Sequence, residues 1–131
     1  MKILYKILFL TSIAVIYLSC DDTTTNVDNN VIPDSNISYS QHIQPIFNAK
    51  CVNCHGVGYT KAGLNLTTWA GTTADPNIVF PGEPDNSKLV WSIEGNPAVS
   101  PMPPIDSPYP ALTQNQVNGV KTWIKEGAKN N

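Results

Sequence analysis

A cysteine pair followed at once by a histidine, Cys51-Val52-Asn53-Cys54-His55, constrains this chain more than any other stretch. Two cysteines three apart with histidine next is the spacing that attaches a haem to a polypeptide. Within one helical turn, both sulfurs can reach the vinyl-derived carbons along one edge of a porphyrin. The following imidazole then swings under the ring toward the iron. Cys51 and Cys54 are therefore candidate thioether positions, and His55 is a candidate axial ligand. A chain built this way has to house a flat apolar ring.

With 131 residues, the chain is long enough for one domain. Its first stretch reads as an export signal over residues 1–19, with Lys2 and Lys6 ahead of an apolar run from Ile7 to Leu18. A helix needs roughly 20 apolar residues to cross a bilayer, and this run is too short. Leu18-Ser19-Cys20 resembles a bacterial lipobox, with Tyr17 where such boxes usually carry leucine. On that reading Cys20 is the acylated N-terminus and the membrane anchor. The alternative is an ordinary signal peptide cut nearby. The lipobox reading accounts for the odd total of three cysteines, one for lipid and two for haem.

From Cys20 onward there are six lysines, no arginine and ten acidic residues, a net charge of −4. Four of the acids (Asp21, Asp22, Asp28 and Asp34) precede Ser38, so residues 38–131 balance at zero. No basic stripe for nucleic acid is visible. Residues 20–37 are polar and acidic and lack any periodicity, which predicts a flexible tether; the domain is expected over 38–131.

Within the domain, Ser40 is the expected N-cap of a first helix. Ile43, Ile46 and Phe47 form its apolar face, and Pro45 stands near its first turn. That helix runs straight into the cysteine turn. Gly56 is expected to let the backbone come close to the ring. Asn65 and Trp69 are candidate donors to a haem propionate. Pro81-Gly82 reads as a turn, and Asp85-Asn86-Ser87 as cap residues for a short helix with Leu89, Val90, Trp91 and Ile93, stopped by Gly95. Thr113 and Gln116 form a capping box for a last helix, with Val117, Val120, Trp123 and Ile124 as its stripe and Gly127 as its stop. Trp123 is expected to hold this helix against Ile43 and Phe47.

Nine of the eleven prolines lie between Pro76 and Pro110, and among them is Ser100-Pro101-Met102-Pro103-Pro104. Met1 leaves with the signal, so Met102 is the sole methionine of the mature chain, 47 residues past His55. A thioether on a stiff loop is what a second axial ligand requires, whereas a gap-filling methionine more often sits on a helix or strand. His42, on the first helix, is the other candidate.

Taken together these features resemble a class I c-type cytochrome, over roughly Ser38 to Gly127. The resemblance implies a small all-α fold of three to four helices with long Pro/Gly-rich loops wrapped around one covalent haem c. It assigns Cys51 and Cys54 to the thioethers, His55 to the proximal ligand, and Met102 to the distal one. Phe47 and Trp123 match the aromatic pair where the terminal helices cross. Gly63-Leu64-Asn65-Leu66, Pro81-Gly82-Glu83-Pro84 and Met102-Pro103-Pro104 look like a subgroup that is secreted or fused to redox enzymes. The implied role is that of a monomeric electron carrier rather than an enzyme. It would work in the periplasm or at the cell surface, with redox proteins as partners and the lipid at Cys20 as its tie to a membrane. A haem-based gas or peroxide sensor with a labile sixth ligand is the alternative, although the chain has no arginine for a distal histidine–arginine pair. Zinc at Cys51, Cys54 and His55 wants a fourth ligand, for which only His42 is nearby in sequence, and a dithiol site lacks a βαβ pattern.

Overall fold

Pro45 decides how the first helix begins. Its missing N–H removes one rung of the ladder, and the turn before it, Tyr39–Ile43, winds as a π-helix in which the Gln44 N–H reaches back to the Tyr39 carbonyl. The α-helix proper, α1, then runs over Gln44–Lys50 with proline in its first turn. The cap is Ser38, two residues earlier than the expected Ser40, because the Ser38 hydroxyl accepts the Gln41 N–H at 3.2 Å. Ser40 donates its hydroxyl to the Asn131 carbonyl instead.

The computed structural model describes residues 27–131. The expected export signal and Cys20 lie outside the described residues. Three further α-helices follow α1: α2 at Trp69–Thr72, α3 at Lys88–Glu94 and α4 at Gln114–Lys125. The strands His55–Gly56 (β1) and Tyr59–Thr60 (β2) form a minimal antiparallel hairpin. This is the expected small all-α architecture with long loops. Among the described residues, no helix is long and apolar enough to cross a membrane.

The first and last helices carry the core. Ile43, Ile46 and Phe47 join Val120, Trp123 and Ile124 in one cluster, each at most 1% exposed. The predicted crossing has a third ring in it. Tyr39 stands 6.5 Å from Phe47 and 5.3 Å from Trp123, centroid to centroid. Its hydroxyl is buried in a 3.0 Å hydrogen bond with the Thr72 hydroxyl, which brings α2 to the same crossing. The capping box forms as expected, with the Thr113 N–H donating to Gln116 Oε1 at 2.9 Å. Gly95 closes α3 in the left-handed region, φ 73°.

Residues 27–37 are not a free tether. Ile32 and Ile37 are 4% and 1% exposed within the core. The Asn115 side chain bridges Ile32, accepting its N–H at 2.8 Å and donating to its carbonyl at 3.0 Å. The Glu126 carboxylate accepts the Asn36 and Ile37 N–H groups at 2.7 and 2.9 Å. Gly119 on α4 makes room, since a Cβ there would meet Ile32 Cγ2 at 2.7 Å. This strap carries few apolar residues and buries both isoleucines by handing its backbone groups to Asn115 on α4 and Glu126 at its C-cap.

The strap also supplies Asp28, whose carboxylate lies 2.6 Å from Lys50 Nζ. The Lys50 side chain is 3% exposed and donates as well to the Ala111 carbonyl at 3.0 Å. The hydrogen bond from Lys50 holds the Asp28 carboxyl below its ordinary value. A carboxyl lowered in the folded state contributes stability that is complete above its unfolded pKa, about 3.9, and is lost as pH falls through the folded value. The stability gap between wild type and Asp28→Asn is therefore expected to stay constant down to about pH 4 and to close below it. Denaturant midpoints across that range check this. A gap unchanged to pH 2 would show that the pair adds no stability.

Candidate functional site

The cysteine turn grows directly out of α1. Cys51 is its C-cap, and the Cys51 and Val52 N–H groups both donate to the Phe47 carbonyl, at 2.9 and 3.0 Å. The Cys54 and His55 N–H groups then return to the Cys51 carbonyl at 3.1 and 2.9 Å, completing a tight turn. Its close winding explains Gly56. A Cβ there would lie 2.3 Å from the Val52 carbonyl oxygen, so the turn's own backbone demands the glycine.

His55 is held from two directions and is 8% exposed. Its carbonyl accepts the Leu66 N–H at 2.7 Å, and its Nδ1–H donates to the Lys61 carbonyl at 3.1 Å. The carbonyl can only accept, so Nδ1 carries a proton, and in the neutral ring the lone pair is then on Nε2. That is the tautomer and the outer-shell hydrogen bond an iron-ligating imidazole uses.

His55 opens into a cleft of about 240 Å³. Cys51 lines it as well, and Leu64, Leu66, Ile78, Leu89 and Ile93 are among its apolar walls. Met102 lines the same cleft. Its N–H donates to the Ser92 carbonyl on α3 at 2.9 Å, which fixes the proline-rich loop against that helix. A smaller adjoining space of about 40 Å³ is bounded by Cys51, Cys54, His55, Met102 and Tyr109. The two cysteines, the imidazole and the thioether, all singled out from sequence, thus converge.

Both cysteines are free of disulfides. Burial pushes the Cys51 thiol up to about 12, because a thiolate there would have little solvent to stabilise its charge. A sulfur in such a place makes a poor thiolate for exchange, but it suits a thioether, which has no charge to bury. Among the described residues, no three His, Cys, Asp or Glu side chains are grouped to hold a metal ion by themselves. The donor set and the apolar walls therefore fit a haem.

Other candidates fall elsewhere. His42 Nδ1 accepts the Ser38 N–H at 2.9 Å, and the residue lines a separate hollow with Gln41 and Ile46. The Trp69 indole N–H is committed to the Ala128 carbonyl at 2.7 Å, so it is not a propionate donor. Asn65 uses its side-chain oxygen to accept the Thr67 N–H and hydroxyl, at 2.9 and 2.7 Å. Lys50 and Tyr109, neither singled out from sequence, both border the smaller space. A lysine at a helix end and a tyrosine among prolines read as surface residues, so no local signal marks them.

Residues 51–106 match the family model described as Planctomycete cytochrome C. No curated protein and no solved structure is significantly similar to the chain. The matched stretch begins at the first cysteine of the attachment turn and ends just past Met102, so it spans the walls of the cleft. Over that stretch the chain is similar to a c-type cytochrome domain, a kind that carries haem c bound covalently.

Proposed function

We propose that this domain is a one-electron carrier, with Cys51 and Cys54 as the thioether positions and His55 and Met102 as the axial ligands of one haem c. The observation that carries this reading is that His55 and Met102, far apart in sequence, line one apolar cleft together with Cys51. When bound, the haem supplies an iron that cycles between two oxidation states one electron apart.

The chain's own residues account for the rest. The Lys61 carbonyl orients His55 and leaves Nε2 as the donor atom. A thioether as second ligand favours the ferrous state relative to a second imidazole. With His55 and Met102 both holding the iron, no position would be open to a substrate, so carriage rather than catalysis would follow. Leu64, Leu66, Leu89 and Ile93 keep the cleft apolar, so little solvent has to reorganise when charge changes. The near-zero charge of residues 38–131 favours a small, transient docking surface for redox partner proteins, without strong steering. The N-terminal run and Cys20 support export and acylation, and hence a protein tethered to a membrane in the periplasm or at the cell surface.

A pyridine haemochrome assay with mass spectrometry of the purified protein is expected to report one covalent haem and acylated Cys20. The oxidised wild type is expected to show the near-infrared charge-transfer band of iron–sulfur bonding, and Met102→Ala to lack it. A high-spin oxidised wild type without that band would overturn Met102 as ligand and favour an open, ligand-sensing iron.

A further inference from the structure

The loop that carries Met102 has few ties of its own. Five of the residues from Pro101 to Pro110 are prolines, which have no N–H to donate. Inside the loop the Ser107 N–H donates to the Pro104 carbonyl at 2.9 Å, and the Tyr109 N–H to the Ser107 hydroxyl at 3.0 Å. These bonds shape the loop without attaching it to anything. At its start, the Met102 N–H is held by the Ser92 carbonyl at 2.9 Å. Between Met102 and the cap of α4, the hydrogen bonds from described residues that attach the loop to the body are two side-chain bonds. Lys50 Nζ donates to the Ala111 carbonyl at 3.0 Å, and the Asn53 amide donates to the Tyr109 hydroxyl.

Lys50 and Asn53 stand on either side of Cys51. The far end of the methionine loop is thus tied to the same short turn that bears the cysteines. Tyr109 is half-buried and borders the space shared by Cys51, Cys54, His55 and Met102. The loop spans from α3 to the attachment turn like a strap buckled at both ends, with Met102 near the first buckle.

We propose that Asn53 and Tyr109 are positioning residues that hold Met102 in place as the sixth ligand by latching its loop to the attachment turn; this rests on the reading of Met102 as ligand. An external ligand can bind only in the fraction of molecules whose methionine has swung away, so its apparent affinity reports that fraction. Removing one ordinary hydrogen bond from the closed state raises the open fraction by about five-fold. The Lys50 tie is buried and paired with Asp28, so its removal disturbs the fold. Asn53 is exposed, and Tyr109→Phe keeps the ring while deleting the hydroxyl, so this pair isolates the latch.

The test titrates imidazole into the oxidised, haem-loaded full chain and its Asn53→Ala, Tyr109→Phe and doubly substituted forms, and measures each thermal midpoint separately. The expected result is that each single variant binds imidazole about five-fold more tightly than wild type. The double variant should add nothing beyond either single one, because both lose the same bond. A wild type with the near-infrared band, alongside variants that bind imidazole as wild type does, overturns the latch and leaves Met102 as ligand. The latch is likewise overturned if thermal midpoints fall while imidazole affinity stays put, or if the two effects add. A wild type without the band overturns Met102 as ligand and the latch with it.

Discussion

Cys51→Ala combined with Cys54→Ala is expected to yield a protein with no covalent haem and no cooperative thermal melt. The loss of the thioethers is chemical, and the loss of the melt is physical. Leu64, Leu66, Ile78, Leu89 and Ile93 face a cleft of about 240 Å³ that side chains of this domain do not fill. An unfilled cavity costs ~24 cal/mol per Å³, so leaving this one empty would cost up to about 6 kcal/mol. Water entering the open side lowers that figure. Small domains have roughly 5–15 kcal/mol in total, so the penalty is comparable with the whole stability. Mass spectrometry and far-ultraviolet circular dichroism of the double variant check both parts. A variant that melts cooperatively at the wild-type temperature would show that the polypeptide has a sufficient core without the ring.

Ile32→Ala with Ile37→Ala is the second large effect, and it separates a docked strap from a tether. Each side chain is almost wholly buried, in one apolar cluster with residues of α1 and α4. Truncating a buried isoleucine costs about 2–5 kcal/mol, so the pair is expected to remove most of the domain's stability in a denaturant titration. Val31, beside Ile32 in the same strap, is 87% exposed, and Val31→Ala is expected to change stability by less than about 0.5 kcal/mol. If the double variant behaved like Val31→Ala, residues 27–37 would be a tether after all.

The strap shows where local pattern stops being informative. Asn115 and Glu126 look like the solvent face of an amphipathic helix, yet they serve the backbone of Ile32, Asn36 and Ile37, 83 to 90 residues away. A segment whose main chain is satisfied by side-chain amides and carboxylates shows neither helical nor strand periodicity. Only its isoleucines hint at burial, and the polar, acidic composition around them points the other way. Tyr39 is a similar case. The expected contact of Phe47 with Trp123 was legible from helical spacing, but the ring that fits between them depends on the π-turn ahead of Pro45.

What the chain's order of residues determined by itself is everything that short-range geometry dictates. Cys51, Cys54 and His55 fall within one turn. Thr113 and Gln116 close a capping box, α4 presents one apolar stripe, and a lone mature methionine sits among prolines. Each follows from neighbours a few residues apart. What only the tertiary structure decided is which other distant groups meet: Asp28 with Lys50, Asn115 with Ile32, and Asn53 with Tyr109. Those pairings are set by how the helices cross and where the loops must pass. Hydrogen bonds and ion pairs across such separations leave no trace in local periodicity.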